Sequence, residues 1–313
     1  QLALYGGNSF RTWQTNNGQE SGKRVLDRAQ SNVLFVTMGV NMENERHGFD
    51  YDDSAAVALQ FERIKSEIIQ YKNHPALLMW SIGNELNLGS RNPKVWDAVN
   101  QIAQMIHQLD TNHPVMTPLA GFDTELIGLL KSRASSLDLI GIQLYGDIAN
   151  LQEKLRASNW QGAYIVTEWG PTGHWEVPLT NWGAPIEDNS TQKAELLDKR
   201  YRQYILTNQQ QCLGSYVFLW GQKQERTPTW YGMFLETGES TEAVDKMSTL
   251  WTGTPPSNRS PRISSFQIGS QHAFDNIKLN ADFIYSAQIR VADADQDSLS
   301  FRWAVMQESD AKS

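Results

Sequence analysis

The sequence lacks several features that would each define a class of protein. It has one cysteine, Cys212, among 313 residues, so no internal disulfide can form and cysteine content does not fix the compartment. No run of 18 apolar residues occurs and the mean hydropathy is −0.49, so no membrane-spanning helix is predicted and no membrane partner is expected. No G-x-G-x-x-G or P-loop motif occurs, which argues against the common nucleotide-binding sheets.

Basic residues are also in short supply, with 27 Lys and Arg against 35 Asp and Glu and a net charge of −8. An acidic surface repels phosphate backbones, so nucleic acid is not expected as a partner, whereas a neutral ligand is compatible. Tryptophan, by contrast, is abundant, with 11 residues. An aromatic face in a loop can stack on a sugar ring, and the alternative is packing of loops over the core. The tryptophans in loop-like sequence are Trp13, Trp169, Trp175, Trp182 and Trp230.

Most of the chain alternates between short apolar runs and amphipathic segments. The apolar runs read as strands buried on both faces, and the segments between them as helices, with Asp53 or Ser54 starting the helix at 53–73. This alternation predicts an α/β fold with a parallel sheet, either doubly wound or a (β/α)8 barrel. The seven predicted strands are 6–13, 32–40, 76–83, 114–119, 137–145, 163–170 and 213–220.

Polar and aromatic residues recur at the carboxyl ends of these strands, which favours the barrel because a barrel gathers all those ends around one mouth. Seven strands predict a (β/α)8 TIM barrel that lacks its first strand, with residues 1–5 as the tail of the first helix. The barrel domain is predicted over 1–252 and a Pro/Ser linker over 253–262. Residues 263–313 alternate with period two, which predicts a partial β-sandwich (Ig-like) module.

Two glutamates carry the chemical interpretation. Glu85 and Glu168 each follow a nearly continuous apolar strand, the fourth and the seventh if an absent first strand is counted. Those strands lie on opposite sides of a barrel mouth, so the two carboxyl groups can face each other across a cleft. Glycosidic-bond cleavage needs such a pair, and a separation of roughly 5–5.5 Å would imply retention of configuration. The alternative is a pair of ordinary ion-paired residues at the barrel rim.

The segments WSIGNE, ending at Glu85, and VTEWG, containing Glu168, resemble the clan A glycoside hydrolases. The closest resemblance is to the catalytic barrels of glycoside hydrolase family 2 and neighbouring β-glucanase families. It covers about residues 6–235 and implies that Glu85 is the acid/base and Glu168 the nucleophile of a retaining enzyme. The sequence departs from many relatives at Gln143, where they have Asn.

The resemblance also implies substrate-binding residues. Asn84 is expected to contact the sugar 2-hydroxyl, Arg11 to lie beneath the nucleophile and Tyr145 to donate to it. Trp220 is expected to form the floor of the subsite that holds the sugar being cleaved. The remaining candidates come from the aromatic loops: Trp13, Trp169, Trp175 and Trp230. Arg11 and Tyr145 would favour the charged form of Glu168, and Glu168 would then favour the neutral form of Glu85.

These observations predict a retaining β-glycoside hydrolase that acts on a β-linked glucan or a related neutral oligo- or polysaccharide. The alternatives are a transglycosylase on the same glycans and a non-catalytic carbohydrate-binding barrel. No cofactor and no metal are predicted, although the acidic segments 41–53 and 293–297 leave a metal site as the less favoured interpretation. The trailing β module suggests a secreted, periplasmic or extracellular location and further modules of a larger chain, although no signal peptide is visible.

Overall fold

The computed structural model describes residues 1–16, 18–309 and 311. The chain divides into two compact units. The barrel unit consists of Gly7–Trp169 and Tyr204–Tyr216, and the second unit consists of Gln1–Gly6, Gly170–Gln203 and Val217–Ser313. In the described part of the chain, no helix is long and apolar enough to cross a membrane, and no group of three or more His, Cys, Asp or Glu side chains is arranged to hold a metal.

The barrel unit is built on a seven-stranded sheet whose strands follow one another in sequence order. The pairs from the first to the sixth strand are parallel. The five inner strands are buried along nearly their whole length, as expected for strands covered on both faces. The strands are β1 (Ser9–Arg11), β2 (Phe35–Val40), β3 (Leu77–Ile82), β4 (Val115–Ala120), β5 (Leu139–Gln143), β6 (Ala163–Trp169) and β7 (Cys212–Val217).

Side chains from distant strands of this sheet meet, which shows that the sheet curls into a nearly closed barrel. Arg11 on β1 pairs with Glu168 on β6, five strands away. Tyr216 on β7 lies 2.5 Å from the Thr37 hydroxyl on β2 and also hydrogen-bonds Ser9 on β1. The predicted parallel barrel is therefore confirmed, and the described residues contribute seven strands to it.

Helices connect the strands of the barrel unit, and side chains cap several of them. The Asp53 carboxylate accepts hydrogen bonds from the backbone N–H groups of Ala55 and Ala56, which confirms the predicted start of the helix at 53–73. Asp123 and Ser21 act in the same way at two other helices. These helices are α1 (Gly22–Ser31), α2 (Ser54–Tyr71), α3 (Lys94–Leu109), α4 (Thr124–Arg133) and α5 (Leu151–Ala157).

The second unit contains α6 (Ser190–Arg200) and α7 (Glu242–Thr252), which pack against each other, and a 3₁₀ turn at Leu2–Tyr5. As a single α-helix, the segment 190–209 would be too long. The α-helical pattern ends at Arg200 and gives way to a π-helical turn, Tyr201–Ile205, and a 3₁₀ turn, Leu206–Asn208. The predicted last strand is also too long, because the chain after Val217 pairs with a loop: Leu219 donates to the Tyr231 carbonyl at 3.1 Å.

The C-terminal residues of this unit form one antiparallel sheet in the order β10–β8–β9, where β8 is Arg262–Ile268, β9 Gln271–His272 and β10 Ala287–Ala292. A second sheet that would complete a sandwich is not present among the described residues. In the acidic segment, the Asp293 carboxylate accepts the backbone N–H groups of Asp295 and Asp297, which is the geometry of a turn. The domain boundaries predicted from the sequence, 1–252, 253–262 and 263–313, stay a prediction.

Candidate active site

The carboxyl ends of β1, β3, β5 and β6 bring six of the predicted residues into one cluster. Glu168 is the penultimate residue of β6 and is only 8% exposed. Because side chains alternate across a strand, its neighbour Trp169 faces the opposite side and is fully buried. The Glu168 carboxylate therefore points to the site from an otherwise apolar strand.

Four side chains donate to the two oxygens of Glu168. Arg11 forms an ion pair with Oε1. Trp13 Nε1 and Gln143 Nε2 donate to the same oxygen at 3.1 Å each. The Tyr145 hydroxyl donates to Oε2 at 3.2 Å. Donors of this kind fix the orientation of a carboxylate.

Asn84 is held by two of the same donors. Its Oδ1 accepts from Arg11 Nη1 at 3.0 Å and from Gln143 Nε2 at 2.9 Å. This fixes which end of the amide is the oxygen, so the Nδ2 hydrogens are left for a ligand, as no other described residue accepts them. Arg11 and Gln143 thus hold Asn84 and Glu168 in one hydrogen-bonded network.

Glu85 follows β3 in a strained turn. Its φ is +52° and that of Gly83 is +64°, both in the left-handed region. A non-glycine residue there costs about 1–3 kcal/mol and persists only where its surroundings hold it. Two backbone hydrogen bonds hold this turn, from Gly83 N to the Val40 carbonyl at 2.9 Å and from Glu85 N to the Pro118 carbonyl at 3.1 Å. The turn is therefore fixed from the strands on both sides of β3.

The surroundings of Glu85 favour its neutral form. Burial raises the pKa of Glu85, and the nearby Glu168 carboxylate raises it further. Arg46 and Arg11 act in the opposite direction without cancelling these effects. Arg46 Nη1 lies 3.4 Å from Glu85 Oε2. The direction expected from the sequence is thus confirmed for Glu85.

The aromatic candidates of the barrel unit have different positions. The Trp13 side chain is 46% exposed, and the Arg11 guanidinium lies 5.8 Å from the centre of its ring. Trp13 is therefore placed to offer a ring face beside Glu168. Trp169 is fully buried, which favours packing over the predicted contact with a sugar.

The other three aromatic candidates belong to the second unit. Trp175 is 60% exposed, so its ring is accessible. Trp230 is buried and donates to the Thr172 carbonyl at 3.0 Å, which favours the packing alternative for this residue as well. Trp220 is partly buried among other aromatic rings, those of Tyr5, Phe234 and Trp251.

Two residues of the cluster were not among the predicted site residues. Gln143 stands out in the sequence only as a departure from relatives. Its spacing from Tyr145 is the available signal, because residues two apart on a strand point the same way. Arg46 lies 39 positions before Glu85 in a charged loop, and nothing in the local pattern marks it.

A parallel barrel with two carboxyl groups at its strand ends offers the arrangement that glycosidic-bond cleavage uses, and the family comparison points to the same chemistry. The model of the glycosyl hydrolases family 2, TIM barrel domain, matches residues 17–174, about half of the chain. The chain belongs to this family of glycoside hydrolases. No curated protein sequence matched the chain.

Several solved structures share the fold. The chain is similar to a β-D-glucuronidase of Dictyoglomus thermophilum, with 17% identity and a TM-score of 0.60. It is also similar to a GH2 β-galacturonidase of Eisenbergiella tayi, with 15% identity and a TM-score of 0.60. Each match covers 81% of this chain and 46% of the other chain. A β-glucuronidase of Faecalibacterium prausnitzii is similar at 17% identity and a TM-score of 0.61, covering 81% of this chain and 44% of that one. The chain therefore spans less than half the length of these proteins.

Proposed function

We propose that the protein is a retaining β-glycosidase that works by double displacement, with Glu168 as nucleophile and Glu85 as acid/base. The observation that carries the proposal is the unequal setting of the two carboxylates. Glu168 accepts four hydrogen bonds from neutral and cationic donors, whereas the pKa of Glu85 is raised by burial and by Glu168. One ionised and one protonated carboxyl group is the combination that the first step of glycoside hydrolysis requires.

In the first step, Glu168 attacks the anomeric carbon and Glu85 gives its proton to the departing oxygen. Among the described residues, Oε1 of Glu168 accepts hydrogen bonds from three donors, whereas Oε2 accepts one, from Tyr145. Oε2 is thus the less occupied oxygen, and we assign the attack to it. As the bond from Oε2 to carbon forms, the three donors on Oε1 continue to orient the carboxyl group.

In the second step, Glu85 acts as a base. Its carboxylate removes a proton from water while the water oxygen attacks the anomeric carbon, and the bond to Glu168 breaks. Asn84 is held by Arg11 and Gln143 with its Nδ2 available, so it is suited to donate to a sugar oxygen in both steps. If an acceptor sugar replaces water, the same chemistry gives transglycosylation.

For the substrate, we propose a β-linked neutral glucan or a related neutral glycan. The net charge of −8 disfavours an anionic polysaccharide. The two guanidinium groups placed at the cluster, Arg11 and Arg46, already pair with Glu168 and Glu85, so neither is available for a substrate carboxylate. The second candidate class is uronides, because the similar structures are named glucuronidases and a galacturonidase.

A panel of matched substrates tests both classes. Aryl β-glucoside and β-galactoside are compared with the corresponding β-glucuronide and β-galacturonide, and laminarin and mixed-linkage glucan are assayed by product length. Cleavage of the neutral members supports the proposal, and cleavage of the uronides alone replaces it with the second class. If binding occurs without cleavage of any glycan, the protein is a carbohydrate-binding barrel. A secreted location, a β-sandwich around β8–β10 and further modules are part of the same proposal.

A further inference from the structure

The segment that follows β2 is clamped onto the segment that follows β3. The clamp is the Glu45 carboxylate, whose Oε2 accepts three hydrogen bonds: from Ser90 Oγ and Arg91 N at 2.8 Å each and from Asn92 N at 3.0 Å. These donors, led by the backbone of Asn92, lower the pKa of Glu45, so it is ionised when it binds them. Glu45 lies in a single 3₁₀ turn, Glu45–His47, and it ties that turn to the chain beyond Glu85.

The next residue, Arg46, reaches Glu85 from this clamped turn. Its Nη1 lies 3.4 Å from Glu85 Oε2, and the two side chains are 27% and 22% exposed. Gly89 has a φ of +70°, and a Cβ placed there would lie 3.3 Å from the Arg46 Cβ. The arginine stem therefore runs close over the backbone of the loop that follows Glu85. The position of the guanidinium is set by the clamp on one side and by this close approach on the other.

The charged groups that face Glu85 come from three other elements of the barrel unit. They are Glu168 at the end of β6, Arg11 at the end of β1 and Arg46 in the turn after β2. Arg11 also binds Glu168 and Asn84, so it is shared within the network. Arg46 has no other ion pair among the described residues, so Glu85 is its dedicated partner.

We propose that Arg46, clamped by Glu45, is a positioning residue that holds Glu85 in the ionised form needed for the second step. The inference rests on the proposed function. In the first step Glu85 must carry a proton, and in the second it must be a carboxylate that accepts one from water. Once Glu168 is bound to the sugar, it no longer carries the charge that opposes ionisation of Glu85. Arg46 and Arg11 then remain as the cations that face Glu85, and Arg46 is the one whose ion pair is with Glu85 itself.

The pH dependence of the reaction tests this role. In wild type, the fall of kcat/KM at high pH (the upper limb of its pH profile) reports the ionisation of Glu85 in the free enzyme. For an activated aryl glycoside, the fall of kcat at low pH (the lower limb) reports the protonation of Glu85 in the glycosyl intermediate. In Arg46→Met, which keeps the length and removes the charge, both limbs should move to higher pH by about one pH unit. Arg46→Lys should restore most of the wild-type profile. Limbs that stay in place in Arg46→Met, or an Arg46→Lys profile that matches Arg46→Met, would overturn the proposal.

A titration that does not need activity separates this inference from the proposed function. The Glu85 side-chain carboxyl can be followed by ¹³C NMR and assigned by its loss in Glu85→Gln. Its midpoint should rise in Arg46→Met and return in Arg46→Lys, whatever glycan the protein uses. An unchanged midpoint would contradict the role of Arg46, whereas a shifted midpoint in a protein that cleaves no glycan would contradict the proposed function alone.

The clamp has its own variant. Glu45→Gln weakens the three hydrogen bonds without touching Glu85, so the same limbs should move in the same direction as in Arg46→Met, by a smaller amount. Glu62→Gln is a matched control, since Glu62 is an exposed residue of α2 that forms an ion pair with Lys65, away from Glu85. If the pH profile of Glu45→Gln is identical to those of Glu62→Gln and wild type, the Glu45 clamp does not position Arg46.

Discussion

The two carboxylates of the site differ in how the protein holds them. Glu168 belongs to a buried strand and is fixed by side-chain donors from β1, β5 and the segments that follow them. Glu85 lies in a strained turn fixed by backbone hydrogen bonds, and within the described part of the chain its carboxylate forms an ion pair with Arg46. In the proposed mechanism, the nucleophile benefits from a fixed orientation, whereas the acid/base must change its charge during the cycle. Variants that change Glu168, Glu85 or their partners should therefore differ in their effects.

The largest effect is expected at Glu168. Glu168→Gln keeps the shape of the side chain and removes the attacking oxygen anion, so kcat/KM should fall by about 10⁵-fold or more, as for other nucleophiles that act in a unit. The control is Glu153→Gln on the exposed surface of α5, which should leave kcat/KM unchanged. A loss of less than about tenfold in Glu168→Gln would remove this residue from the chemistry.

The next largest effect is expected at Glu85, and it should depend on the leaving group. Glu85→Gln removes the proton donor, so glycosides with poor leaving groups should lose about 10²–10⁴-fold in kcat/KM. Aryl glycosides whose leaving group departs without a proton should show a far smaller fall in kcat/KM, because their first step does not need the acid. Equal losses for both kinds of glycoside would contradict an acid/base role.

A smaller effect is expected at Tyr145, whose hydroxyl donates to Glu168 Oε2. Tyr145→Phe removes the hydroxyl at 3.2 Å, and a hydrogen bond to a charged group contributes about 1.5–3 kcal/mol. The corresponding fall in kcat/KM is about 10–100-fold, with an unchanged response to the leaving group. If Tyr145→Phe were to behave like Glu85→Gln across leaving groups, the separation between the two carboxylates would fail.

The smallest effect is on stability. Burial raises the pKa of Glu85, so its ionisation is less favourable in the folded state than in the unfolded state. The stability that protonated Glu85 contributes is therefore fully present below the ordinary glutamate pKa. It is lost as the pH rises through the raised pKa of Glu85 in the folded state. Glu85→Gln should have a higher Tm than wild type at pH 7, and the difference should shrink at pH 4. The measurement is thermal unfolding by circular dichroism, and a difference that does not vary with pH would contradict the pKa direction.

Much of the barrel and part of the site could be predicted from the sequence. Buried runs mark β2–β6 because both faces of those strands are covered, and Glu85 and Glu168 stand out because each follows such a run. Arg11, Asn84 and Tyr145 could be placed by motif. Arg46 could not, because its contact with Glu85 depends on the clamp formed by Glu45 between two loops.

The aromatic residues show a second limit. A tryptophan in Gly- and Pro-rich sequence can lie under a loop or on top of it, and local composition is the same in both cases. Trp13 and Trp175 are exposed, whereas Trp169 and Trp230 are buried. The difference depends on packing between segments distant in sequence, such as the hydrogen bond from Trp230 to Thr172.

Azide rescue tests the assignment of the two roles most directly. Alanine variants at each glutamate are given an aryl β-glycoside that the panel identifies as a substrate, together with azide, and the anomer of the glycosyl azide is read by ¹H NMR. Glu85→Ala should give the β-glycosyl azide, because azide attacks the intermediate on Glu168. Glu168→Ala should give the α-glycosyl azide, because azide replaces the nucleophile. The reverse pattern of anomers would contradict the assignment.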